Sequence, residues 1–216
     1  MNPSNPAVFV CGVITEVTSD RLIARPLTIG HLVEDCGGVN PRLAHMREVR
    51  AEEFDAFKRA DFTMRVSEAQ LRLLKNVSEA AAKQAFAEAF AEPFVEKDWG
   101  GEQADLFTTQ PKINGERVSC AFAFKGPGHF KKLHPAGCGK NGDQLPRLFS
   151  LPASVYVLQH CHAVGPHVRR IMQALTMERL HENIRFCIID GYQTYSILTH
   201  LKKLPKAARS RAPRRH

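Results

Sequence analysis

The order of helix-like and strand-like segments in the second half of the chain most constrains its fold. Ser78 is a typical N-cap for an Ala-rich helix, and two strand-like segments follow it. Asn114-Gly115 lies between those two segments, and Asn-Gly is the preferred pair in a tight hairpin turn. The later segments alternate between helix and strand, at 143–149, 154–160, 166–182 and 184–189. This α-β-β-α-β-α-β order predicts an α/β fold, a mixed sheet flanked by helices.

The N-terminal part of the chain has a different pattern. Residues 7–17 are rich in β-branched side chains, and the turn-forming Thr18-Ser19-Asp20 leads to a second such stretch, which predicts a hairpin. Phe54 and Phe57 are spaced for one helix face, so we expect a helix over 51–59. We therefore divide the chain into an N-terminal hairpin and helix segment, an α/β core and a basic tail, at 1–60, 61–201 and 202–216.

Charge is concentrated in that tail. The 216 residues include 30 Lys and Arg against 22 Asp and Glu, a formal net charge of +8. The tail holds seven cations and no acid, which leaves 23 cations against 22 acids in the rest of the chain. Such a tail attracts polyanions, although the same composition also fits a solvated chain end.

Apolar runs, the N-terminal residues and the cysteines indicate the cellular compartment. No run approaches the roughly 18–20 apolar residues of a membrane span, and no signal peptide is visible at the start. The six cysteines form no CxxC pair, which is typical of reduced thiols. We expect a cytoplasmic protein that does not bind membranes.

Two residues of the predicted hairpin suggest a family. Asp105 begins its first strand and Lys125 ends its second. An acid and a lysine so placed, with a helix before the hairpin and a helix and strand after it, resemble the PD-(D/E)xK nuclease superfamily. The resemblance covers about 78–189. The stretch KDWGGEQADLF at 97–107, together with Ala-Phe-Lys-Gly at 123–126, is also similar to an uncharacterised bacterial group with this core.

The resemblance implies a restriction-endonuclease-like core that hydrolyses DNA with Mg²⁺ or Mn²⁺. Asp105 would be a metal ligand, and Lys125 would orient the attacking water or stabilise the phosphate charge. Mg²⁺ takes oxygen ligands and keeps several waters, so one or two carboxylates plus the substrate suffice.

The chain departs from the family pattern at one position. Ala123 stands two residues before the lysine, where the family has an acid. Four acids could replace it: Glu102, Asp143, Glu88 and Glu92. Such a relocation to the following helix is known in the superfamily, which favours Asp143. Gln144 beside it would hold a water or contact the phosphate.

A basic loop follows the hairpin. Residues 125–140 contain four lysines and no acid, as is typical of a loop that contacts a phosphate backbone. The predicted nucleic-acid contacts are Lys131, Lys132, Lys140 and Arg147.

Two functions remain open from the sequence. The first is a metal-dependent endonuclease acting on DNA, of the kind that bacterial defence and mobile-element systems use. The second is a catalytically inactive nuclease-fold subunit that binds nucleic acid or a protein partner, which the loss of the acid at Ala123 favours.

Overall fold

The computed structural model describes residues 8–31, 47–95, 103–179 and 182–205, and the chain divides into two compact units, 1–43 and 44–216. The smaller unit contains an antiparallel hairpin of β1 (Val8–Val17) and β2 (Leu22–His31). A hairpin here is what the sequence predicts. The division between the units lies closer to the N-terminus than the predicted boundary at residue 60.

The larger unit contains five α-helices and six strands in its described residues. The helices are α1 (Glu68–Leu71), α2 (Glu79–Ala89), α3 (Gln144–Phe149), α4 (Pro166–Glu178) and α5 (Gly191–His200). The strands are β3 (Leu106–Thr108), β4 (Lys112–Ile113), β5 (Glu116–Arg117), β6 (Cys120–Lys125), β7 (Val155–His160) and β8 (Arg185–Ile189).

The main sheet has four strands in the order β3-β6-β7-β8. β3 is antiparallel to β6, whereas β6, β7 and β8 are parallel to one another. A mixed α/β fold with a helix-flanked mixed sheet is thereby confirmed. The predicted long hairpin is divided, because β4 and β5 form a separate two-stranded sheet. Asn114 and Gly115 join them with φ of 53° and 85°, as an Asn-Gly turn with two positive φ angles requires.

Both faces of the main sheet are buried. Along β6, Phe122 and Phe124 contribute to one hydrophobic cluster, with side chains of α2 and α5. Ala121 and Ala123 contribute to the other, with side chains of α3 and α4. Since successive residues of a strand point to opposite faces, the two clusters lie on the two sides of the sheet.

Two helix predictions differ from the structure. The expected helix over 51–59 is a pair of 3₁₀ turns, because Phe54 between them takes an extended backbone and bridges Ile113. The residues after β8, beyond the last predicted element at 184–189, form α5. Asp190 caps that helix by accepting hydrogen bonds from the N–H groups of Tyr192 and Gln193.

Among the described residues, no helix combines the length and the apolar character needed to cross a membrane.

Candidate functional site

A cavity of about 510 Å³ opens where β6 and β7 end. Its walls come from three places: the start of α2, the turn after β6 and the loop 133–140. Lys125 and His160, the last residues of the two strands, lie opposite each other in the parallel register and both line the cavity. The carboxyl ends of parallel strands are where open α/β sheets bind ligands. This edge is therefore the candidate site.

Lys125 contributes a positive charge to the cavity. It is half-buried at the end of β6 and lies on the same strand face as Ala123, towards α3. Burial raises the pKa of the Cys138 thiol, and the charge of Lys125 opposes that shift. Lys140 lines the same cavity, which gives two cations around one space.

Asp105 lies at the same edge of the sheet, just before β3. Its N–H donates to the Phe122 carbonyl at 2.9 Å, and its Oδ2 accepts the Phe124 N–H at 2.5 Å. The backbone of β6 thus fixes this carboxylate one residue from Lys125. The structure brings the two residues of the predicted motif together.

Asp143 adjoins the wall of the cavity. It occupies the N-cap position of α3, and in the described structure its side chain makes no capping bond there. Its Oδ2 instead pairs with Arg147 Nε at 3.1 Å. Its Oδ1 is 2.8 Å from where a Cβ of Gly139 would be, and Gly139, which has a φ of +93°, lines the cavity. Asp143 therefore stands directly behind the cavity wall, and Arg147 is its partner.

Gln144 follows in the first turn of α3. Its N–H donates to the Cys138 carbonyl at 3.0 Å, which ties α3 to the cavity loop. Its Oε1 is buried and has no hydrogen-bond partner within the described ranges. A buried amide oxygen without a donor is costly, so this atom is a candidate ligand for a cation or an ordered water.

The loop lysines lie around a second, smaller cavity. Lys131, Lys132 and His134 line this space of about 230 Å³, and all three are exposed. The two cavities share the wall 133–137. Cations therefore lie on both sides of this loop.

Sequence reasoning missed Glu79 as a site residue. The first residue of α2, it lines the cavity, and its Oε2 accepts the N–H of Gly126 at 3.0 Å. The available signal was an acid in the first helical turn, which by itself is explained by the helix dipole. Glu79 lines the cavity only because α2 packs against the end of β6.

It also missed His160, the fully buried last residue of β7. Its Nε2 lies 2.9 Å from the Lys131 carbonyl oxygen, and its Nδ1 lies 3.3 Å from that of Lys125. Burial lowers the pKa of this histidine, while the two carbonyls oppose that shift. His160 thereby connects the end of β6 to the lysine loop.

The other candidate acids have different positions. Glu88 pairs with Lys203, with Oε2 and Nζ 2.6 Å apart, and this pairing holds its pKa below the usual range. Glu92 accepts the N–H of Phe94 at 3.1 Å. Glu102 lies outside the described residues.

Ala123 is fully buried beneath α3, in the same cluster as Leu145 and Leu148. A carboxylate there would enter an apolar core, which is a physical reason for the small side chain.

The oxygen donors near the cavity suit a hard cation. Asp105, Asp143 and Gln144 offer carboxylate and amide oxygens, the ligands that Mg²⁺ accepts. Within the described residues, no three His, Cys, Asp or Glu side chains form a group that could hold a metal ion. A divalent cation here would have one or two protein carboxylates as ligands and would complete its shell with water and phosphate oxygens.

Comparison of the chain with family models, curated proteins and solved structures found no match.

Proposed function

We propose that the larger unit hydrolyses phosphodiester bonds in DNA with the aid of a divalent cation, Mg²⁺ or Mn²⁺. The observation that carries this proposal is the meeting of Asp105 and Lys125 at one end of β6, beside a cavity that also contains Lys140. Two lysines that line one cavity, with the Asp105 carboxylate at the same end of β6, suit a reaction in which negative charge grows on a phosphate.

The cation would be held by Asp105 and Asp143, with the Oε1 of Gln144 as a third oxygen. When bound, it supplies positive charge at the phosphate and lowers the pKa of a coordinated water. These three side chains would supply oxygen ligands, the type that Mg²⁺ takes, and water and substrate would supply the others. Arg147 would position Asp143 through the ion pair between them.

The remaining residues would bind and orient the substrate. The Lys125 ammonium group would donate a hydrogen bond to the attacking water or to a phosphate oxygen. Lys140 would contact the same phosphate from the other side of the cavity. Glu79 would fix the turn after β6 through the N–H of Gly126, so that Lys125 is held in place before substrate binds.

DNA is the proposed partner because the basic loop follows the site directly. Lys131 and Lys132 are exposed on the far side of the shared wall. Contacts from lysines to phosphates give affinity without sequence preference.

A second candidate function is DNA binding without cleavage. The observation that favours it is the position of the acids: residue 123 is a buried alanine, and Asp143 is already paired with Arg147. In that case the cavity lysines would bind phosphate and no bond would break.

Cleavage assays with labelled duplex and single-stranded DNA separate these two functions. We expect wild type to cut in Mg²⁺ or Mn²⁺ and not in EDTA, and Asp105→Asn to cut at least about 100-fold more slowly, as loss of an electrostatic group in a catalytic site does. Asp61→Asn, at an acid remote from β6 in the sequence, is the matched control and should cut normally. Binding without cleavage by wild type would support the second function, and normal cleavage by Asp105→Asn would overturn the first.

A further inference from the structure

Three aromatic side chains follow one another along the edge of the sheet that contains the cavity. Phe130 lies in the turn after β6, His162 follows β7, and Tyr192 lies in the first turn of α5, after β8. The rings of Phe130 and His162 meet edge to face, with centroids 4.9 Å apart. We call these three residues the aromatic edge.

Backbone contacts place the start of α5 against the residues that follow β7. The N–H of Gly191 donates to the His162 carbonyl at 3.0 Å. A Cβ at Gly191 would lie only 2.8 Å from the Cα of His162. The residue before Tyr192 is thus in direct contact with the residues that follow β7, so the backbone of Tyr192 lies one residue from His162.

Tyr192 is the member of this edge that is open to solvent. Its side chain is 47% exposed. Phe130 and His162 are only half-buried, but they pack on each other, and Lys75 Nζ lies 5.0 Å from the centroid of the Phe130 ring. An exposed aromatic ring at this edge of the sheet offers a face for stacking.

The distance from the cavity is short. The strands β6, β7 and β8 are neighbours, and adjacent strands lie about 4.8 Å apart. The end of β8 is therefore about 10 Å from the end of β6, where Lys125 lies. A strand of DNA with a phosphate in the cavity could place a neighbouring base over Tyr192.

The charges around the edge fit a nucleic-acid strand. Lys75, Lys131 and Lys132 are exposed cations near it. Three described acids at this end of the sheet accept hydrogen bonds from backbone N–H groups: Asp190 from Tyr192 and Gln193, Glu79 from Gly126, and Asp105 from Phe124.

We propose that unpaired bases of single-stranded DNA stack on Tyr192 of the aromatic edge, so that the site selects single-stranded segments. This inference rests on the proposed function and names its substrate class. Stacking favours single strands, because in a duplex each base already has its two faces covered by its neighbours. It tolerates any sequence, since every base has a π-face.

The test measures binding in EDTA, so that cleavage does not enter. Fluorescence anisotropy gives the Kd for a single-stranded oligonucleotide and for a duplex of the same sequence. We expect Tyr192→Ala to weaken single-strand binding by about 5- to 100-fold, the range for loss of one base–aromatic stack. Duplex binding should change less than about 2-fold, and Tyr192→Phe, which keeps the ring, should bind like wild type.

Phe107→Ala is the matched control, since Phe107 is 43% exposed and pairs with Ala121, away from the carboxyl end of β6. It should leave the Kd for both DNA forms unchanged. Equal losses in Tyr192→Ala and Phe107→Ala, equal losses on both DNA forms, or no single-strand binding by wild type would each overturn the inference. Tyr192-dependent single-strand binding by a wild type that never cleaves would uphold the inference and overturn only the nuclease.

Discussion

His160 is buried with a carbonyl oxygen opposite each of its ring nitrogens. A neutral imidazole has a single N–H, and the shorter contact, 2.9 Å to the Lys131 carbonyl, assigns that hydrogen to Nε2. The lone pair of Nδ1 then faces the Lys125 carbonyl at 3.3 Å. Burial favours this neutral form and lowers the pKa of the ring.

A pH dependence of stability follows. Because the pKa of His160 is lower in the folded chain, the unfolded chain takes up a proton first as the pH falls. The contribution of neutral His160 to the free energy of unfolding is therefore fully present above about pH 6.5. It is lost as the pH falls below that value. We expect the free energy of unfolding of His160→Gln to fall less steeply with decreasing pH than that of wild type, by up to about 1.4 kcal/mol per pH unit.

Urea unfolding from about pH 7.5 to about pH 5.5 measures this difference. His134→Gln removes an exposed histidine of the same loop and should keep the wild-type slope. Identical slopes for wild type and His160→Gln would contradict the buried neutral form.

At the scale of elements, the close contact of α5 with β7 depends on Gly191. A Cβ there would lie 2.6 Å from the carbonyl oxygen of Cys161, a backbone atom that cannot move alone. We expect Gly191→Ala to lower the free energy of unfolding by about 1–3 kcal/mol, as overpacking does.

Chemical denaturation of the variants gives this value. Gly128→Ala is the control, because a Cβ at Gly128 would meet no atom of the described structure within 4 Å. A Gly191→Ala variant as stable as Gly128→Ala would show that α5 does not pack on β7 as described.

Local sequence signals account for the elements that were predicted correctly. Asn114 and Gly115 both have positive φ, which the turn between β4 and β5 requires and which Asn and Gly adopt readily. The side chains of the apolar segments β6 and β7 are buried on both faces of the sheet. Asp190 and Gln193 form a capping box, a signal by which α5 could also have been found. The extended backbone of Phe54 could not be predicted, because it depends on Ile113, which is distant in the sequence.

Some residues of the candidate site could likewise be predicted from the sequence, and others could not. Asp105 and Lys125 could be paired from the sequence because they lie on strands joined by a short connection. Glu79 and His160 could not, because their roles depend on which helix and which strand pack against the end of β6.

For the molecule as a whole, nucleic-acid binding by the basic tail stays a prediction. Residues 206–216 lie outside the described residues. Lys203 pairs with Glu88 of α2, so a truncation after Pro205 preserves that contact and removes five cations: Lys206, Arg209, Arg211, Arg214 and Arg215.

We expect this truncation to weaken DNA binding at low salt and to flatten the dependence of log K on log[salt]. Each lost phosphate contact contributes about 0.9 on duplex DNA, so losing five contacts should change the slope by up to roughly 4.5. Anisotropy titrations over a salt series measure it. An unchanged slope would assign DNA binding to the lysine loop alone.

We propose above all that Lys125 takes part in breaking the phosphodiester bond. Its most direct test is the single-turnover cleavage rate of Lys125→Met with Mg²⁺ and saturating DNA, with the Kd measured in parallel. Methionine keeps the apolar stem and removes the charge, and Lys112→Met, at an exposed lysine of β4, is the control. We predict a rate at least about 100-fold below wild type with a Kd changed by no more than a few-fold. A Lys125→Met variant that cleaves at the wild-type rate would contradict this role of Lys125.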